Sequence, residues 1–121
     1  MATITEDFVS FETAKLLKEK NCPDFGYSCI CDSEGNKAQT QSIIMKWLRE
    51  VHHIYTEICL YKTNKDDIEP KKSRKAPYYT FGVWNTVTGD NVDKRLTNDF
   101  IGDSYEQACE AAIKYCLENL I

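Results

Sequence analysis

Ser104-Tyr105-Glu106-Gln107-Ala108-Cys109-Glu110-Ala111-Ala112-Ile113-Lys114-Tyr115-Cys116-Leu117-Glu118-Asn119-Leu120 is the stretch whose reading decides the fold. Ser104 and Gln107 have the spacing of a capping box, in which each side chain satisfies a backbone donor at a helix start. Tyr105, Ala108, Cys109, Ala112, Cys116 and Leu120 then fall on one stripe, with Glu106, Glu110, Lys114 and Glu118 outside it. Small residues at Ala108 and Ala112 let such a helix lie close to a sheet. The stretch reads as a closing helix with an acidic outer face, a scaffold element that needs a sheet supplied by earlier residues.

Working toward the N-terminus, Tyr78-Tyr79-Thr80-Phe81-Gly82-Val83-Trp84-Asn85 has the composition of a strand. Thr86 to Asn91 offers a Gly-containing hairpin connection, and Val92 to Thr97 can return as a short polar edge strand protected by Asp93, Lys94 and Arg95. Ile54 to Tyr61 is a third β-rich run. Before it, Gln41 to Val51 carries Ile44, Trp47, Leu48 and Val51 at helical spacing, with Lys46, Arg49 and Glu50 toward water. Only His52 and His53 separate this helix from the strand, so the change of direction must be abrupt.

Phe25 to Asp32 alternates with period two and reads as a strand; Ser33 to Asn36 is a turn, and the polar segment Lys37 to Gln41 is a loop or the entry to the second helix. Ser10 is placed to cap a first helix from Phe11 to Lys20, with Phe11, Ala14 and Leu17 as a narrow apolar stripe and Asn21 and Pro23 ending it. The expected order is α-β-α-β-β-β-α. It makes one α+β domain over residues 1–121, in two layers, with three helices packed on a mostly antiparallel sheet of three or four strands.

A chain of 121 residues with 42% hydrophobic and 28% charged residues can bury a core without cross-links. The first residues, Met1 to Asp7, lack the basic and apolar regions of an export signal, and no run of about 18 apolar residues is present, so a cytoplasmic protein with no membrane contact is expected. In that compartment the six cysteines read as free, mostly buried thiols. Net charge is −4, but Lys62 to Lys75 contains six basic and three acidic residues, so a local +3 segment sits on a body carrying −7.

Few residues suggest chemistry. His52-His53 lacks the companions of a metal or acid–base site, and a place at the helix C-terminus suits both. Cys29-x-Cys31 is not a zinc knuckle, so no metal is expected. No Walker loop, dinucleotide fingerprint, nucleophile elbow or EF-hand loop occurs, which leaves a non-enzymatic chain needing no cofactor as the expectation. Lys71, Lys72, Arg74 and Lys75 could contact phosphates beside stacking aromatics, or could belong to a solvated loop.

Three segments carry a resemblance to a known group: Thr5 to Lys20, Met45-Lys46-Trp47-Leu48-Arg49-Glu50-Val51-His52-His53-Ile54, and Ser104 to Ile121. They resemble a family of small uncharacterised proteins of gut Bacteroidetes and their phages or prophages, with the MKWLRE segment the most specific part. The resemblance implies a bacterial or phage cytoplasm and a mobile-element gene, and assigns no activity. The sequence departs from that family at Lys62 to Pro77, a loop whose length and charge vary within the family.

The β-rich runs carry apolar residues on both faces, and helices on one side cover only one. The leading expectation is therefore an accessory protein that binds a protein partner, or a second copy of itself, through the exposed sheet face at Tyr55, Tyr61, Tyr78 and Trp84. The alternative is a nucleic-acid-binding module using the basic loop of residues 62–77.

Overall fold

The computed structural model describes residues 7–61, 78–92 and 102–121, with only the backbone of Tyr61. The basic segment from Lys62 to Pro77, with Lys71, Lys72, Arg74 and Lys75, lies outside the described residues. So does most of the expected edge strand from Val92 to Thr97.

The chain is α+β, in the order α1 (Phe11–Glu19), β1 (Cys29–Cys31), β2 (Lys37–Gln39), α2 (Gln41–Val51), β3 (Ile54–Tyr61), β4 (Tyr78–Asn85) and α3 (Tyr105–Asn119). The strands form two antiparallel pairs, β1 with β2 and β3 with β4, rather than one sheet. The expected order lacked β2. Lys37-Ala38-Gln39 is short and polar, yet Ala38 is fully buried and Gln39 nearly so. The Gln39 amide donates to the Pro23 carbonyl at 2.9 Å and its Oε1 accepts from the Phe25 N–H at 3.0 Å. That side chain takes the place of a strand partner for residues 23–25. Gly26, in the left-handed region at φ 76°, then turns the chain, so the strand expected from Phe25 begins only at Cys29.

The helices start where their caps place them. Ser10 accepts from the Thr13 N–H, Thr40 from the Ile43 N–H and Ser104 from the Gln107 N–H. At α3 the reciprocal half of the capping box shifts by one residue: Gln107 Oε1 accepts from the N–H of Asp103 at 2.7 Å, not from that of Ser104. The abrupt passage from α2 to β3 is made by His53, which adopts φ 57°, while its carbonyl accepts from the Thr86 N–H at 2.9 Å.

α3 packs against α1, α2, β3 and β4, and buries Ala108, Cys109, Ala112, Ile113, Cys116 and Leu117. Ile44 and Leu48 of α2, Val83 of β4, Ala38 of β2, Thr13 of α1 and Val9 ahead of α1 also belong to the fully enclosed part of the core. The stripe is broader than the spacing implied. Ile113 and Leu117 are enclosed, whereas Tyr105 remains 48% exposed. The reason is that α1 covers the flank of α3 that the pattern assigned to water.

β3 and β4 pair in the register Tyr55 with Trp84 and Ile58 with Phe81. Ile54, Thr56, Phe81 and Val83 consequently share the face that meets the helices, and all four are buried. The second edge of β4 is bridged at both ends of the intervening chain, by Asn91 to Trp84 and by Gly102 to Tyr79. No helix among the described residues is long and apolar enough to cross a membrane.

Candidate functional site

Three places gather polar or aromatic side chains in an unusual way. The first is the face of β3–β4 turned away from the helices. Tyr55 and Trp84, directly opposite in register, are 44% and 37% exposed. The Trp84 indole lies over Gly82, with Nε1 3.4 Å from where a Cβ would stand, and donates to Glu57 Oε2 at 3.0 Å. A Cβ at 82 would stand in van der Waals contact with the ring. Burial raises the neighbouring Cys59 thiol above its ordinary value, and the charge and hydrogen bond of Glu57 raise it further.

This surface is smaller than the sequence implied. Tyr78 is only 7% exposed and Thr80 only 6%, so the end of the face near them is covered. Tyr78 is therefore no docking residue. The side chain of Tyr61 lies outside the described residues. What remains open is Tyr55, Glu57 and Trp84.

The second place is where α3 meets the start of α1. Glu110 Oε1 accepts from the Ser10 N–H at 2.9 Å and from the Thr13 hydroxyl at 2.6 Å. Its other oxygen, Oε2, is enclosed without a hydrogen-bond partner among the described residues. One turn on, Lys114 pairs with Glu12 at 2.8 Å, and that contact lowers the Glu12 carboxyl and raises the Lys114 ammonium from their ordinary values. The acidic side of α3, expected to face water, is thus a clamp between two helices. Pattern reading missed it because a glutamate outside the apolar stripe is assigned to solvent by default.

The third place is a groove of about 400 Å³ between α2 and the residues before β1, lined by Tyr27, Ser28, Thr40, Ser42, Ile43, Lys46 and Arg49. Ser42, Lys46 and Arg49 stand at i, i+4 and i+7 along one side of the helix. No sequence motif marked it, since its two walls come from separate elements.

The histidines stand at the C-terminus of α2 as expected, but the favoured positive charge expected there does not extend to His52. His52 caps α2 and sets its ring edge-on to Trp47 at 4.6 Å, and burial followed by the charge of His53 holds it below its ordinary value. No group of three or more potential metal ligands occurs among the described residues. All six cysteines are free, but only Cys109 and Cys116 are buried, while Cys31 is exposed. Burial pushes the thiols of Cys22 and Cys109 up to about 11. The expectation of mostly buried thiols thus holds for α3 and fails for the β1 hairpin, where Ile30 is 43% exposed beside them.

Comparison of the chain with protein-family models, with curated proteins and with solved structures finds no match.

Proposed function

We propose that this chain is a non-enzymatic accessory protein of phage or mobile-element origin, acting in the cytoplasm by holding a basic protein partner on the open end of its outer sheet face. The observation that carries the reading is the exposed Tyr55–Trp84 pair with the Glu57 carboxylate fixed beside the indole. An arginine from a partner fits this arrangement in two ways: its guanidinium stacks on the ring faces and its N–H groups reach the carboxylate. Tyr, Trp and Arg are also the residues that dominate binding energy at protein interfaces. Charge supports the same partner, because the body outside Lys62 to Lys75 carries −7.

A second copy of the chain fits less well. A symmetric contact centred on this patch sets Glu57 against its own counterpart, and like charges brought together out of water repel. The origin rests on the resemblance of the MKWLRE segment and the two ends of the chain. The cytoplasmic setting rests on six cysteines that form no disulfide.

A photo-crosslinking residue at position 55, introduced in the source cells, tests this directly. The expected result is a partner whose purified complex weakens about tenfold or more with Trp84→Ala and with Glu57→Arg, the Glu57→Arg loss alone being recovered when the partner's contacting arginine is changed to glutamate. Equal capture when the same crosslinker stands in a Glu57→Arg/Trp84→Ala background, or light scattering showing that these residues close a homodimer, overturns it.

A further inference from the structure

Seven lysines and arginines lie within the described residues, and most are already engaged. Lys15 pairs with Glu34, Lys37 with Asp24 and Lys114 with Glu12, while Lys20 donates to the carbonyl oxygen of Ile121. Two of the remaining three stand together on α2. Lys46 has no carboxylate within ion-pair distance among the described residues, and Arg49 reaches only its neighbour Glu50, through Nε at 3.9 Å, which leaves its terminal nitrogens unspent. Both line the groove described above.

The rest of that lining is matched to an anion with a flat or apolar body. Tyr27, Ser28, Thr40 and Ser42 bring four hydroxyl groups, and Ile43 supplies an apolar floor. Tyr27 is 67% exposed, among the most exposed aromatic side chains described, and lines the same groove as the two cations. A volume of about 400 Å³ falls within the range of small-molecule sites, at the scale of one nucleotide rather than of a polymer. The seven steps along the helix from Ser42 to Arg49 span about 10 Å, enough for a phosphate at one end and a ring at the other.

We propose that the groove between α2 and Tyr27–Ser28 is a binding site for a phosphorylated small molecule of mononucleotide size, its phosphate held by Lys46 and Arg49 and its ring resting on Tyr27. Charge-assisted hydrogen bonds from a guanidinium and an ammonium supply the attraction, and the hydroxyls complete the oxyanion's contacts. The site is separate from the Tyr55–Trp84 face, so either reading can fail without the other.

Calorimetric titration of the full chain with adenosine 5′-monophosphate at low salt, alongside inorganic phosphate and adenosine alone, tests it. The expected result is millimolar or tighter binding of the nucleotide that weakens about tenfold in a Lys46→Gln/Arg49→Gln variant and with rising salt. Tyr27→Ala weakens the nucleotide and leaves inorganic phosphate unchanged. All three residues are on the surface, and circular dichroism checks that each variant stays folded. Absence of heat up to about 5 mM nucleotide, binding indifferent to the Lys46/Arg49 substitutions, or binding of a single-stranded oligonucleotide but of no mononucleotide overturns the proposal.

Discussion

Removing the Glu110 carboxylate should loosen the joint between α3 and α1, and a double-mutant cycle with Thr13 can isolate that joint. Thr13 is completely buried, and its hydroxyl donates to Glu110 Oε1 at 2.6 Å, within the range of a charge-assisted O–H···O bond. The same hydroxyl accepts from Ser10 Oγ at 3.0 Å, so its hydrogen is committed to Glu110. Hydrogen bonds to charged groups contribute about 1.5–3 kcal/mol each. The Ser10 N–H that shares Oε1 is in an exposed setting and recovers water when the carboxylate is gone, so its loss costs little. Glu110→Ala is therefore expected to destabilise by about 2–3 kcal/mol, nearly all of it through Thr13.

Thr13→Val keeps the side-chain volume and removes the donor. If the contact acts as described, the double variant is less destabilised than the sum of the singles by about 1.5 kcal/mol. Urea denaturation monitored by tryptophan fluorescence gives all four free energies, and an unchanged slope confirms that the unfolded state is not the source. Glu110→Gln should fall between wild type and Ala, because its oxygen can keep both donors while its amide enters the enclosed position of Oε2, where nothing accepts. A coupling below about 0.5 kcal/mol would refute the reasoning and return Glu110 to the status of an ordinary surface charge.

Further expectations concern the core, the αL residue and the titrating groups. Ile113→Ala removes a fully buried side chain at the centre of α3 and should cost about 3 kcal/mol, read as a fall in thermal midpoint of roughly 10 °C. His53→Gly should be neutral or stabilising by up to about 1 kcal/mol, and His53→Val destabilising by more than about 1 kcal/mol, because φ 57° is costly for a branched side chain. Asp24, hydrogen-bonded by the Gly26 N–H and by Lys37, and Asp32, hydrogen-bonded by Asn36, lie below their ordinary values. Lowered folded values mean stability that is complete above the ordinary carboxylate range and lost as pH falls through them, so denaturation midpoints should drop below about pH 4, less so in Asp32→Asn. Cys22 and Cys109 have raised values, so stability should instead decline as pH climbs from 9.0 toward 11, and alkylation followed by mass spectrometry should label Cys31 first and the buried Cys109 and Cys116 last.

What could be read from the sequence divides along a physical line. The caps Ser10 and Ser104, the span of α2 and the runs of β3 and β4 are written in local chemistry: a hydroxyl before a helix, apolar residues at period 3.6 or 2. Lys37-Ala38-Gln39 carries no such signal, since its strand character depends on Gln39 reaching two backbone groups many residues away and on the Phe8 bridge to Thr40. The same holds for the candidate sites. Tyr55 and Trp84 were legible because strand alternation puts them on one face, whereas the burial of Tyr78 depends on tertiary cover that alternation does not encode. The α2 groove needed the tertiary fold, because Lys46 and Arg49 are ordinary solvent-facing residues until Tyr27 and Ser28 are placed in the same groove.

The closing helix shows why a binary pattern can be right about an element and wrong about its role. An apolar stripe fixes which side of α3 meets the sheet, and Ala108, Ala112 and Ile113 do meet the core. The remaining side is classed as solvent only by elimination, yet α1 needs a partner for its own buried surface, and Thr13 rather than Phe11 turned out to be the enclosed residue in its first turn. A carboxylate at Glu110 accepts from the Ser10 N–H and the Thr13 hydroxyl at the start of α1, where the helix dipole also favours negative charge. An acidic flank on α3 is therefore what lets a short helix with few apolar residues dock at all. It follows that the charge of this flank is structural. The acidity free to recruit a basic partner lies instead at residues such as Glu57, whose carboxylate is held at the surface by an indole rather than consumed by a second helix.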